Sequence, residues 1–282
     1  MLRSAADTRP GRSGIAVAGA RSGIAAAVAR SAGVAVAVSV ALTLGVALTL
    51  GVAQAPAAGA ETAASETTAA IRTSFSPDRL GAKAAFGFTV HYGGGASGVP
   101  SPVRRAVLQL PPGLRMNIPR LRDCTRSQLQ ARGAKGCPAQ SEIGNGSSLA
   151  DVHAGSEVER EEATLSAFLG PLQNGNPTIE ILGQGYTPLD ERVVVTGALL
   201  PDRPPYGEEL VMSIPPIPTI PLEPDASTVS FSLTIGGTHS KAQYPNTVIT
   251  PSRCPAGGFP FAAAFTYADG STSSAAATVP CP

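Results

Sequence analysis

From residue 75 onward the chain repeatedly alternates apolar and polar positions. Phe86, Phe88, Val90 and Tyr92 are separated by Gly87, Thr89 and His91, and Val229, Phe231, Leu233 and Ile235 by Ser230, Ser232 and Thr234. A period of two places each apolar set on one face of an extended strand. Ala106, Leu108 and Leu110 repeat the pattern, as do Leu210, Met212 and Ile214. Ile179–Leu182 and Val193–Val195 are more continuously apolar and predict strands buried on both faces. Phe261–Tyr267, Asp269-Gly270 and Ser271–Val279 predict a hairpin, because Asp-Gly suits a tight type I′ turn. Helical signal is sparse: a short helix is predicted over 125–132, where good helix formers follow Thr125. Glu157–Glu162 is too short and too polar to anchor a core.

Short strands between Gly/Pro turns predict an all-β fold, an antiparallel immunoglobulin-like β-sandwich over 75–282. Ile214–Pro224 carries alternate prolines, which favour polyproline II and exclude a central strand. It either divides the region into two parts or crosses over within one sandwich, and the second arrangement is favoured. Residues 61–74 are rich in Ala and Thr and predict a disordered lead-in.

The first sixty residues have a different character. Arg3, Arg9, Arg12, Arg21 and Arg30 precede a charge-free run from Ser31 to Ala55, and Pro56 and Ala57-Ala58-Gly59-Ala60 follow. Basic, apolar and small-residue segments in this order predict a signal peptide over 1–60, cut after Ala60. The apolar run is long enough to serve instead as an uncleaved anchor through 31–55, its arginines on the cytoplasmic side. Either way, residues 61–282 lie outside the cytoplasm, secreted or held at the cell envelope. No Cys near the cut supports a lipid anchor.

Charge changes with this segment. The whole chain is +1, with 21 basic and 20 acidic residues. Removing 1–60 takes five Arg and one Asp, leaving 16 basic and 19 acidic, a net −3. That balance gives no electrostatic drive toward nucleic acid. Cys124, Cys137, Cys254 and Cys281 all lie in the exported part. An even count outside the cytoplasm predicts two disulfides. Of three possible pairings, Cys124–Cys137 and Cys254–Cys281 each bracket a short segment with turn residues. A zinc site would need C-x₂₋₄-C spacing or nearby His, and neither occurs.

Several segments carry a resemblance together: Leu110-Pro111-Pro112-Gly113-Leu114, Cys137-Pro138-Ala139-Gln140-Ser141-Glu142-Ile143-Gly144, Ile214-Pro215-Pro216-Ile217-Pro218-Thr219, and Cys254-Pro255-Ala256-Gly257-Gly258-Phe259-Pro260. This set resembles a group of uncharacterised exported proteins of high-GC actinobacteria. The resemblance implies a disulfide-bonded exterior protein; it implies no activity, cofactor or functional residue.

Sequence chemistry is equally spare. G-x-S-x-G, H-E-x-x-H and the phosphate-loop patterns are missing, and no cofactor is expected. His91, His153 and His239 are the only histidines, each read as a surface residue. Glu157, Glu159, Glu161 and Glu162 could attract Ca²⁺, but no D-x-D-x-D-G loop accompanies them and the run reads as a solvated face. Arg115, Arg120, Arg122, Arg126, Arg132 and Lys135 surround the first cysteine pair and form a local basic excess, a candidate site for an anionic envelope polymer or lipid surface. The expected role is therefore non-catalytic binding or envelope structure. The alternative is an extracellular hydrolase, for example on glycans, built from scattered residues.

Overall fold

The computed structural model describes residues 66–95, 98–118, 121–236 and 247–282. The predicted signal peptide or anchor at 1–60 lies outside the described residues. Thirteen strands follow in chain order: β1 (Thr68–Ser76), β2 (Lys83–Gly93), β3 (Val103–Leu110), β4 (Arg115–Met116), β5 (Glu142–Ala154), β6 (Glu157–Gln173), β7 (Asn176–Gln184), β8 (Arg192–Pro201), β9 (Glu208–Ser213), β10 (Ser227–Ile235), β11 (Val248–Ile249), β12 (Phe259–Tyr267) and β13 (Thr272–Val279). One α-helix, α1 (Arg126–Arg132), lies between β4 and β5.

The all-β expectation is met, and every strand pair is antiparallel. The arrangement differs from an immunoglobulin-like sandwich. The strands follow one hydrogen-bonded path, β13-β12-β3-β9-β8-β7-β6-β5-β10-β2-β11-β4, with β1 on β2. A sandwich needs two sheets facing each other; here a single sheet curls until β1 lies beside β12 and β13. The four hairpin connections from β5 to β9 keep successive strands adjacent, so the sheet grows sideways instead of splitting.

Alternation sets the two faces. Phe86, Phe88, Val90 and Tyr92 of β2 are buried inside the curl, as are Ala106, Leu108 and Leu110 of β3. Aromatic rings join the two ends of the sheet. Phe75 of β1 meets Phe259 and Phe261 of β12 at ring-centre distances of 5.7 and 6.0 Å, and Phe86 stacks on Phe261 at 5.5 Å. Nearer the other end, Tyr92 meets Phe265 edge-on at 5.1 Å. The Cys254–Cys281 disulfide links the segment before β12 to the chain following β13.

The more continuously apolar segments are buried on both faces for a visible reason. Ile179 and Ile181 point inward, whereas Leu182, Phe168 and Val194 form a second small core on the outer face beneath Leu129 of α1 and Cys124. The helix begins with a capping box: the Gln128 amide donates to Thr125 Oγ1 at 3.2 Å, and the Thr125 amide donates to Gln128 Oε1 at 2.8 Å. The Cys124–Cys137 disulfide closes the loop that carries this helix, so both expected pairings are present.

Three local expectations change. Residues 68–74, expected as disordered lead-in, belong to β1, because Ile71 and Phe75 supply buried side chains to the core. The β12–β13 hairpin has a three-residue loop, Ala268–Gly270, in place of a two-residue type I′ turn. The Tyr267 amide donates to Ser271 O at 3.0 Å, and Gly270 takes the left-handed position at φ 83°. Finally, a bulge between Thr228 and Ser230 interrupts the alternation of β10, leaving Val229 only half-buried while Thr228 turns to the interior.

The aromatic seam makes a quantitative prediction. Phe261→Ala should lower stability by about 3–5 kcal/mol, the usual cost of deleting a fully buried ring. Urea unfolding of the oxidised protein measures it. A loss within that range is expected, and a loss under about 1 kcal/mol would show that the seam does not hold the sheet ends.

Candidate functional site

At one end of the curled sheet the inward-facing side chains do not fill the interior. They leave a cavity of about 140 Å³, lined from nine strands: β2, β3, β5 to β10 and β12. Its walls are almost wholly apolar, among them Phe88, Val90, Leu165, Ile181, Met212 and Phe265. Small residues on adjacent strands, Ala150, Ala163 and Gly183, leave the space open.

Strand order dictates what crosses the mouth. β9 and β10 are neighbours in sequence but five steps apart in the sheet, so their connection must span the open end. That connection is the proline-rich segment, and it is a crossover within one sheet, not a divider between two parts. Ile217 from its middle lines the cavity. The Ala226 amide donates to Ile217 O at 2.9 Å, which closes the segment into a compact loop. Arg104 at the start of β3 pairs with Asp225, and the Ile214 amide donates to Arg104 O at 2.8 Å. Proline rings stiffen the span, because each fixes φ and removes a donor that would otherwise need a partner.

Glu161 also lines this cavity. Counting back by twos along β6 from Leu169, through Ala167, Leu165 and Ala163, lands on residue 161, so the carboxylate points inward and is only 6% exposed. Its Oε1 is buried and has no hydrogen-bond partner. Gly185 makes room for it: a Cβ at that position would overlap Oε1. Burial pushes the Glu161 carboxyl above its ordinary range; the backbone amides of Tyr186, Leu189 and Thr187 oppose the shift, and the Glu191 carboxylate adds to it. The acidic run Glu157, Glu159, Glu161 and Glu162 is expected as a solvated face. The run in fact splits: Glu161 is buried, and Glu157, Glu159 and Glu162 are exposed. Among the described residues no cluster of three or more His, Cys, Asp or Glu could hold a metal ion.

The structure does not gather all the candidate basic residues at one place. Arg115 lies on β4 and Arg122 in the loop before Cys124; Arg126 and Arg132 occupy opposite ends of α1, and Lys135 follows in a 3-10 turn at 133–136. All five are exposed, and Arg120 lies outside the described residues. Arg126 borders a polar groove under the helix, where Glu180 is 3% exposed. Burial raises the Glu180 carboxyl, whereas a 2.7 Å hydrogen bond from Thr196 and the Arg126 guanidinium hold it down. This carboxylate already has a partner, which makes it a structural group tying β7 to β8.

His91 is exposed on β2 and His153 is half-buried near the end of β5; His239 lies outside the described residues. Among the described residues, no helix is long and apolar enough to cross a membrane. The two disulfides fit an oxidising, extracytoplasmic setting.

The buried Glu161 sets a pH dependence. Its folded-state value is raised above the ordinary 4.5, so the native state keeps this proton to higher pH than the unfolded chain. Stability from this group is therefore fully present below about pH 4.5 and lost as pH rises through the raised value. Wild type minus Glu161→Gln stability, from urea unfolding across pH 4 to 7.5, should fall with pH. A flat difference would contradict the burial.

No protein-family model matches this chain, and neither a curated protein nor a solved structure matches it.

Proposed function

We propose that this is an exported, non-catalytic binding protein that holds a small apolar molecule inside its curled sheet. The observation that carries this reading is the apolar cavity of about 140 Å³, roofed by a proline-rich crossover. An engineered cavity of about 150 Å³ with apolar walls stays dry and takes up benzene, so a molecule of roughly one ring fits the space. Apolar walls exclude water, and a guest gains the contacts that the empty wall atoms lack. The disulfides support an extracytoplasmic location, and the likeness to exported actinobacterial proteins agrees with it.

The test is direct. Toluene, titrated into folded residues 61–282, should bind saturably and raise the melting temperature. Ala163→Leu places a larger side chain in the cavity and should abolish binding while the fold is retained by circular dichroism. Unchanged toluene binding in Ala163→Leu, or none in wild type, would reject the reading.

A second reading concerns the outer surface. Arg122, Arg126, Arg132 and Lys135 are all exposed around the Cys124–Cys137 loop, which suits attachment to an anionic envelope polymer or lipid surface. Co-sedimentation with cell envelopes should weaken with salt, and replacing these four residues with Ser should reduce it several-fold. Binding indifferent to both changes would remove this role.

A further inference from the structure

The cavity wall contains one feature that an apolar guest alone does not explain. Glu161 lines this largely apolar chamber, and its Oε1 lies against Gly185, buried and without a hydrogen-bond partner. A buried acceptor in that state costs free energy that a donor would recover, and the cost is larger for a charged acceptor. The surrounding protein supplies no such donor to Oε1. The backbone amides of Tyr186, Thr187 and Leu189 are turned toward the carboxylate, and most of the remaining lining is apolar. Ser148, a hydroxyl in that lining, donates to Ser230 O at 3.0 Å and is thereby occupied.

The charged residues of the cavity lining have one sign. The lining residues include two carboxylates, Glu161 and Glu191, and none is Lys, Arg or His. A guest carboxylate placed there would meet like charges at low dielectric, whereas a cation would be drawn in. Gly185 sharpens the point, because the carboxylate occupies space that any side chain at 185 would take. The glycine is what allows a carboxyl group to stand at the edge of an apolar chamber.

We propose that the cavity selects small apolar amines, with the ring in the hydrophobic chamber and the ammonium group donating to Glu161 Oε1. This rests on the proposed binding function and adds the chemical class of the guest. Hydroxyl groups on the same ring would also satisfy the oxygen, but without charge attraction; carboxylates would be rejected.

Four probes of one shape separate these outcomes: benzylamine, benzyl alcohol, toluene and benzoate, titrated by calorimetry into oxidised residues 61–282. The expected order is benzylamine tightest, by about tenfold or more over toluene, since a charge-assisted bond exceeds a neutral one. Benzyl alcohol should fall between them, with benzoate weakest. Glu161→Gln should remove the amine preference, bringing benzylamine and toluene to comparable affinity. The wild-type series stands by itself if that variant folds poorly. Benzylamine binding no tighter than benzyl alcohol or toluene would overturn the amine assignment and leave the cavity function intact. An amine preference that survives Glu161→Gln in a folded variant would also overturn it. Failure of all four probes would reject the cavity function and the amine assignment with it.

Discussion

The contact between the two ends of the sheet is the constraint on which this structure depends. Phe75, Phe86, Phe259 and Phe261 pack where β1 and β2 meet β12. No strand ladder joins β1 to β12 or β13, so side-chain packing must supply the closure. Tilted and edge-on rings add about 0.5–1.5 kcal/mol per pair beyond the area they bury. The Cys254–Cys281 disulfide restrains the same end of the molecule in the unfolded chain as well as the folded one. If the ends parted, the inward face would open to water and the interior would no longer exist as a chamber.

Closure and topology together produce the candidate site. At the seam end, large aromatic rings fill the space between the strands. At the mouth end, Ala150, Ala163 and Gly183 face the interior and leave it open. The same end receives the crossover from β9 to β10, so the segment richest in proline becomes the cover. Its prolines suit that place for two reasons. They hold an extended span without ladder partners, and they withhold N–H groups that would be costly above an apolar chamber.

Much of the architecture was legible residue by residue. Alternation in β2, β3 and β9 identified the buried faces, because a strand's side chains point to opposite sides by geometry alone. Thr125 and the helix formers that follow it announced a helix, and the four cysteines paired within the short segments they bracket. The candidate site was much less legible. Glu161 lay in an acidic run whose composition suggests a solvated face, and only its phase relative to Leu165 and Leu169 separates it from Glu162. Thr228 was hidden for a different reason: the β10 bulge shifts the phase, and a bulge has no signature in alternation itself. Ile71 falls within the stretch expected as a disordered lead-in because the Ala and Thr around it dilute the apolar pattern.

Local physics explains what the amino-acid sequence determined alone: an all-β chain, its inward faces, one short helix, two disulfides, and an apolar run ahead of the cysteine-bearing region. Each depends on residues close in sequence or on simple chemistry. Tertiary structure decided the rest. Single sheet or sandwich depends on which edges meet, and that is fixed by rings as distant in sequence as Phe75 and Phe261. A cavity exists only where small residues from several strands converge, and a buried carboxylate oxygen without a partner is visible only once the strands around it are in place. These are properties of proximity across the fold, which a one-dimensional pattern does not contain.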